Sequence, residues 1–452
     1  MPSKIILTIS EGKLAGKQYI FASRSTCIIG RNADCNLQLA KEIDMTISRY
    51  HCLLDINPPD IRVRDLGSLN GTFVNGKKIG QRQRHQTAQE AVKLEHPEYD
   101  LQNGDELKLG DTIFKVGVDL GEPEQSETPN ILKEEEKISQ KNPSFLSSIQ
   151  NLIKLSLQGD KNLQPIAGYK LVKSLGKGGL GEVFLAEHSQ LRKYVAIKVM
   201  IPAVCAKEES VEMFLREAEN AKLLTNPHIV PLLNYGFAEE TFFFVMEYCE
   251  GGNIWDFMQK LGWRVPVNVA VDIILQVLDG LIYAHHVEIA DVESGNEKTE
   301  KITGLVHRDL NPNNILITYV NGNAVAKIGD YGLAKAFDLA GLSGQSLTGT
   351  QMGTPAFIPR QQVLDFKNAL PAVDVWATAA CLYNMLTGYF PRDFTGDPWL
   401  AVLQNDPVPI HRRNNTIPHK LAQVIDLALV EKPQITFQTA EEFKQALIKT
   451  IY

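Results

Sequence analysis

Three polar side chains around one short apolar run constrain this chain more than any other feature. In residues 304–334, GLVHRDLNPNNILITYVNGNAVAKIGDYGLA, Asp309 and Asn314 precede Ile315-Leu316-Ile317, and Asp330 follows it. A run this short reads as a buried strand, and the loops at its ends deliver polar groups to a cleft. The plainer reading is a β-hairpin with charged ends. The tripeptide His307-Arg308-Asp309 alone does not decide between them, so the rest of the chain must.

The chain has 452 residues, enough for two or three domains. It is 44% hydrophobic and 22% charged, as soluble globular proteins are, and its net charge of -7 argues against a general nucleic-acid surface. Six scattered cysteines (27, 35, 52, 205, 249 and 381) form no metal spacing and read as reduced thiols of a cytoplasmic protein. No unbroken apolar run approaches the ~20 residues of a membrane span, and Met1 to Ser10 has no secretory pattern.

Upstream of that stretch, Leu175-Gly176-Lys177-Gly178-Gly179-Leu180-Gly181-Glu182-Val183 leads into a second strand, Val183-Phe184-Leu185-Ala186, and not into a helix. That order counts against a dinucleotide-binding βα turn. Val195-Ala196-Ile197-Lys198 follows, and downstream come Gly353-Thr354-Pro355 and Asp374-Val375-Trp376. With His307-Arg308-Asp309-Leu310, Asn314 and Asp330-Tyr331-Gly332, this set resembles the eukaryotic-like serine/threonine protein kinases, an α+β fold of two lobes. The resemblance implies magnesium-ATP as phosphate donor and protein hydroxyls as acceptors. Asp309 would be the base, Asn314 and Asp330 hard oxygen ligands for Mg2+, and the glycine loop a lid whose backbone amides close over the phosphates. Lys198 would hold the α and β phosphates, paired with Glu217 on a helix over Ser210–Leu224. Glu219 competes for that role but lies ~200° around the helix. Leu175 would join the ATP site, Val183 and Ala196 would roof the adenine, and Leu316 would floor it. Met246 would be the gatekeeper, with Glu247 and Cys249 at the hinge. Ser346, Thr348 and Thr350 are candidate activation-loop phosphosites for Arg308 to bind.

Residues 1–118 read differently. Short strand-like runs alternate with turn formers, and Asn70-Gly71 and Asn75-Gly76 flank Thr72-Phe73-Val74, which indicates a β-sandwich or barrel with tight hairpins. Gly30-Arg31, Ser48-Arg49-Tyr50-His51 and Asp65 to Thr72 then follow in an order that resembles the forkhead-associated (FHA) domain. The resemblance implies an all-β, eleven-stranded sandwich that binds phosphothreonine peptides. Arg31 and Ser48 would contact the phosphate, Arg49 would add a second contact, Asn70 would hold the peptide backbone and His51 would brace the loops. A guanidinium fork with a hydroxyl suits a group of about -1.5 to -2 charges. Gln81–Leu101 reads as a surface insertion.

Residues 119–167 read as a linker, acidic and free of aromatics over Gly121–Lys141, with apolar spacing suggestive of a short helix over 145–157. Thr128-Pro129-Asn130-Ile131 has an aliphatic residue three places after its threonine, a type of site FHA domains favour. Phosphorylated Thr128 would then be a ligand and a route to transient self-association.

Residues 168–452 would be the kinase, with three departures from the family. Asn311 stands where a lysine touches the γ-phosphate, a change that can cost roughly 10²–10³ in rate. Tyr331 replaces the metal loop's phenylalanine. Arg360 replaces a glutamate whose arginine partner aligns with Thr436. Because both halves of that pair differ, no orphaned partner arginine is expected. Glu288–Lys301 reads as a surface loop. The alternative to an active kinase is an ATP-binding pseudokinase scaffold for phosphopeptide partners.

Overall fold

The computed structural model describes residues 3–22, 25–33, 35–40, 42–83, 97–119, 169–178, 181–200, 218–238, 241–290, 301–331, 355–365, 369–394 and 398–451. The linker, Thr128, Gly179, Glu217, Ser346, Thr348, Thr350 and Gly353-Thr354 lie outside the described residues.

Strict alternation builds the N-terminal module. Lys4–Glu11 buries Ile5, Leu7 and Ile9, while Cys52–Asn57 buries Cys52, Leu54 and Ile56. With a side-chain period of two, each strand presents one apolar face. Two sheets bring those faces together. The first orders Gln18–Phe21, Lys4–Glu11, Thr112–Asp119, Glu106–Leu109, Thr72–Val74 and Lys77–Gly80. The second orders Leu37–Gln38, Ser25–Gly30, Cys52–Asn57, Asp60–Asp65 and Tyr99–Leu101. The eleven strands close over one core that includes Phe114, Val63 and Leu107. Asn75 (φ 49°) and Gly76 (φ 76°) make the tight hairpin turn. Asn70-Gly71 instead closes a binding loop. The 81–101 segment is not all insertion. Tyr99–Leu101 pairs with Asp60–Asp65 and buries Leu101.

In the second module, five antiparallel strands run Tyr169–Gly178, Gly181–His188, Tyr194–Met200, Thr241–Glu247 and Leu232–Ala238 in sheet order. This sheet is the N-lobe. Below it lie helices α1 (Ile254–Lys260), α2 (Val267–His286), α3 (Arg360–Leu364), α4 (Ala372–Thr387), α5 (Pro398–Gln404), α6 (His419–Ala428) and α7 (Ala440–Ile451), the C-lobe. Every residue of α4 is buried. A helix apolar nearly all round belongs at the centre of a core, and α2 and α6 pack on it. The 20-residue α2 has the length and mean hydropathy (1.6) of a membrane span. Its Ile274, Val277, Leu278 and Leu281 are nevertheless buried in the C-lobe core against the α4 side chains. Glu288–Ala290 and Lys301–Thr303 pair as a β-ribbon, so the ends of the expected surface loop are ordered.

Candidate active site

The run Ile315-Leu316-Ile317 lies in a strand, Ile315–Val320, paired with Asn323–Ile328 and with Gly252–Asn253. Ile315 pairs with Ile328, so Asn314 before the first strand and Asp330 after the second emerge at the same end of this small sheet. The catalytic loop before it is fixed by Asp374 at the buried start of α4. One carboxylate oxygen accepts from the His307 N–H (2.8 Å) and sits 2.9 Å from His285 Nε2, and the other accepts from the Arg308 N–H (2.9 Å). Burial raises the pKa of Asp374, but the His285 hydrogen bond and neighbouring donors outweigh it and hold the carboxyl below the usual aspartate range. Arg308 (φ 67°) and Asp330 (φ 53°) both occupy the left-handed region, a strained backbone that persists only where its surroundings impose it.

Asp309 is gripped from both sides. Asn314 Nδ2 donates to its main-chain oxygen (2.7 Å) and to Oδ2 (3.1 Å). Asn311 Nδ2 donates to the same main-chain oxygen (3.0 Å) and to Oδ1 (3.2 Å). Asn311 is thus a clamp on Asp309, the expected base, since its donor is directed at that residue. His307 Nδ1 accepts from the Asp309 N–H (3.2 Å), which leaves Nε2–H to donate to the Gly329 carbonyl (2.9 Å). Burial in the cleft, reinforced by the Asp330 charge, pushes the Asp309 pKa above the ordinary aspartate range despite Asn314 and Lys198.

Lys198 comes from the strand Tyr194–Met200 and reaches Asp330 Oδ2 at 2.6 Å, both side chains partly buried. Across the cleft roof, Ala196 pairs with Met246 and Gly176 with Val183. A Cβ on Gly176 would meet nothing within 4 Å, so the protein's own packing does not require glycine there. At the hinge, both carboxylate oxygens of Glu247 accept from Lys327 Nζ (2.9 and 2.7 Å), and burial pushes the Cys249 thiol up to about 12. Leu316 lies beneath, close enough that a Cβ on Gly329 would touch its Cδ1 at 3.3 Å.

Two departures from the family resolve into packing. The hydroxyl of Tyr331 donates to the Leu305 carbonyl (2.9 Å), and its ring packs edge-on against His307 with centroids 5.0 Å apart. The added oxygen is therefore satisfied. At Arg360, the backbone N–H donates to Glu431 (2.8 Å), and Glu431 pairs with the guanidinium of Arg392, both side chains almost fully buried. Arg392 also stacks over Trp376 at 4.4 Å. The ion-pair brace exists, built from Arg392 and Glu431 beneath the Arg360 backbone.

The described residues fit a magnesium-nucleotide complex. Because the Asn314 amide nitrogen is spent on Asp309, its oxygen faces the other way and accepts no hydrogen bond that the described residues show. Asp330 offers a carboxylate. Magnesium is commonly held by one or two such oxygens plus substrate phosphates, and no larger cluster of His, Cys, Asp or Glu exists among the described residues.

The sandwich loops form a second site. Arg31, Ser48, Arg49 and Asn70 line one cavity of about 350 Å³, together with Arg82. Ser48 Oγ accepts from the Leu69 N–H (2.9 Å), and Asn70 Nδ2 donates to the Thr46 carbonyl (2.6 Å), so Asn70 ties two loops together. Fully buried His51 accepts from the Ser48 N–H at Nδ1 (3.2 Å) and donates to the Gly71 carbonyl from Nε2 (3.1 Å). Burial holds its imidazole below the ordinary histidine range. Asp65 organises the third loop, accepting from the N–H groups of Gly67 and Ser68 and the hydroxyls of Ser68 and Thr72 at 2.6–2.9 Å. Sequence reasoning missed Arg82. It sits in a polar segment read as surface insertion, and only its place after the Lys77–Gly80 strand pointed to the loops.

A two-lobed fold with a glycine hairpin over a lysine, an aspartate and an amide–carboxylate pair defines a protein-kinase domain. Residues 169–434 match the protein kinase domain, and residues 27–110 match the FHA domain. The chain belongs to the protein kinase family and carries an FHA domain ahead of the kinase. It is 32% identical over 292 residues to serine/threonine-protein kinase PknB of Mycobacterium tuberculosis, covering 62% of this chain and 42% of that one. It is 31% identical over 293 residues to tyrosine-protein kinase MasK of Myxococcus xanthus, covering 63% and 43%. The chain thus spans about two fifths of the length of these relatives. A crystal structure of Rad53 1-466 in complex with AMP-PNP aligns over 99% of this chain and 100% of that one, with 20% identity and a TM-score of 0.48.

Proposed function

We propose that this chain is an active serine/threonine protein kinase that moves the terminal phosphate of magnesium-ATP to protein hydroxyls, and that its FHA domain recruits phosphothreonine partners or its own phosphorylated segments. The observation that carries this reading is the double clamp on Asp309 beside the Lys198–Asp330 pair. Asp309 takes the proton of the substrate hydroxyl as that oxygen bonds the γ-phosphorus and the bond to ADP breaks. Asn311 and Asn314 fix the carboxylate in the attacking direction and keep it from rotating away. Lys198 neutralises charge on the α and β phosphates. Asn314 and Asp330 would hold magnesium, which when bound draws charge off the phosphate oxygens. The three arginines of the sandwich cavity suit a phosphate group, and Gly353-Thr354-Pro355 supports serine and threonine as acceptors.

Incubation with radiolabelled ATP and magnesium, followed by phosphoamino-acid analysis, tests the reading. Label on serine and threonine that disappears in Asp309→Ala supports it. Label on tyrosine would overturn the acceptor class, as one relative's name warns. Absence of label in either protein would make the chain a nucleotide-binding scaffold.

A further inference from the structure

The FHA sandwich is seated on the kinase C-lobe, and the Arg360 side chain is at the centre of the contact. Its guanidinium donates to the Tyr50 hydroxyl and to the Leu403 carbonyl, with Cζ 5.7 Å from the Tyr50 ring centroid. Asn36 donates to the Leu364 carbonyl at the end of α3. Beside these bonds, Ile28, Cys35 and Leu66 of the sandwich share one buried cluster with Val363, Leu400 and Leu403 of the C-lobe. The residue that broke the family's pattern is therefore used to bind the neighbouring domain. Tyr50 directly follows Ser48 and Arg49, so the docking surface and the phosphate-binding loops share one segment.

One consequence is visible in the cavity. Among the described residues its lining holds Arg31, Arg49 and Arg82 and no carboxylate, and the buried Arg82 Nε has no hydrogen-bond partner there. Its wall includes Leu400 and Gln404 of α5, which belong to the kinase. At about 350 Å³ the space is in the range of small-ligand sites.

We infer that the phosphopeptide site is shared between the domains: the sandwich arginines take the phosphate, and half-buried Gln404, backed by buried Leu400, reads a residue flanking the phosphothreonine. This rests on the phosphothreonine reading of the sandwich. The ligand is then a phosphothreonine peptide whose sequence is selected partly by the kinase lobe, and its site includes Tyr50, the residue that Arg360 bonds.

Reversing charge at Gln404 in the full chain tests this. Gln404 is half-buried at the end of α5, so both Gln404→Glu and Gln404→Lys are tolerable, and equal melting temperatures would confirm folding. The immobilised chain is offered a library of peptides with one fixed phosphothreonine and degenerate flanks. Gln404→Glu is expected to enrich a basic residue at one flanking position, and Gln404→Lys an acidic residue at the same position, each about two- to fivefold, as exposed charge pairs allow. If the parent and both variants select identical flanks while Arg31→Ala abolishes retention, the shared site is overturned and the phosphopeptide reading stands. If the parent retains no phosphothreonine peptide at all, both fall.

Discussion

Replacing Asp374 with asparagine probes how the catalytic loop is held. The carboxylate carries three hydrogen bonds, from His307 N–H and His285 on one oxygen and Arg308 N–H on the other. Asparagine has the same shape but one acceptor. With its oxygen kept toward His307 and His285, its NH₂ faces the Arg308 N–H, donor against donor. That removes one charge-assisted bond worth ~1.5–3 kcal/mol. The remaining two become neutral bonds, losing about half their strength, ~1 kcal/mol each. The sum is ~3–5 kcal/mol, or ~6–20 °C in melting temperature at ~2–4 °C per kcal/mol. Arg308 at φ 67° stores ~1–3 kcal/mol of strain that those bonds maintain, so a loosened loop relaxes away from its catalytic shape. A shift of ~1 Å in Asp309 costs about 10²-fold in kcat. KM for ATP is expected to change less than about threefold, because Lys198 and the glycine hairpin sit on the other lobe. Thermal melting and steady-state kinetics on a protein substrate give both readouts. A variant that melts with the parent and retains kcat within about threefold would refute this account of the loop.

Two further outcomes follow from buried charge. Glu431→Gln or Arg392→Met alone should lose ~3–5 kcal/mol in urea denaturation, whereas the double replacement by apolar residues should lose less than either; additive losses would mean that the pair is not a unit. His51, held neutral by burial, sets the pH response of the sandwich. Its folded pKa lies below the unfolded value of ~6.5, so as pH falls the unfolded chain takes the proton first. Stability is full above about 6.5 and declines below it by up to ~1.4 kcal/mol per pH unit. A sandwich melting temperature unchanged between about pH 7 and 5 would contradict the buried neutral His51.

The parts of the site that were legible in the sequence are local. Asp309, Asn314 and Asp330 sit within two dozen residues around one strand, so motif spacing locates them. The alternation in Lys4–Glu11 and Cys52–Asn57 likewise announces the sandwich. What spacing could not reach is long-range. Arg392 and Glu431 have no shared motif, and only the fold brings them together beneath Arg360. Asn311 read as a weakened phosphate contact, yet its nearest acceptors are on Asp309. Arg82 was hidden because a polar segment gives no periodicity, and a side chain at a loop mouth is positioned by tertiary structure alone. The sequence shows only that Tyr331 replaces a phenylalanine, and the Leu305 carbonyl 26 positions earlier accounts for the added hydroxyl.

Among the described residues, the side chains that bond the Asp309 carboxylate, Asn311 and Asn314, belong to the lower half of the kinase, and so do His307, Asp374 and His285, which hold its loop. Asp309 and the residues that hold it therefore belong to one lobe. On the proposed reading, rocking of the upper sheet about the hinge would change how tightly the nucleotide is grasped and leave the base pointing where it was. Turnover limited by ADP escape could thus be retuned by substitutions in the five-stranded sheet, with the acid–base chemistry underneath left unaltered.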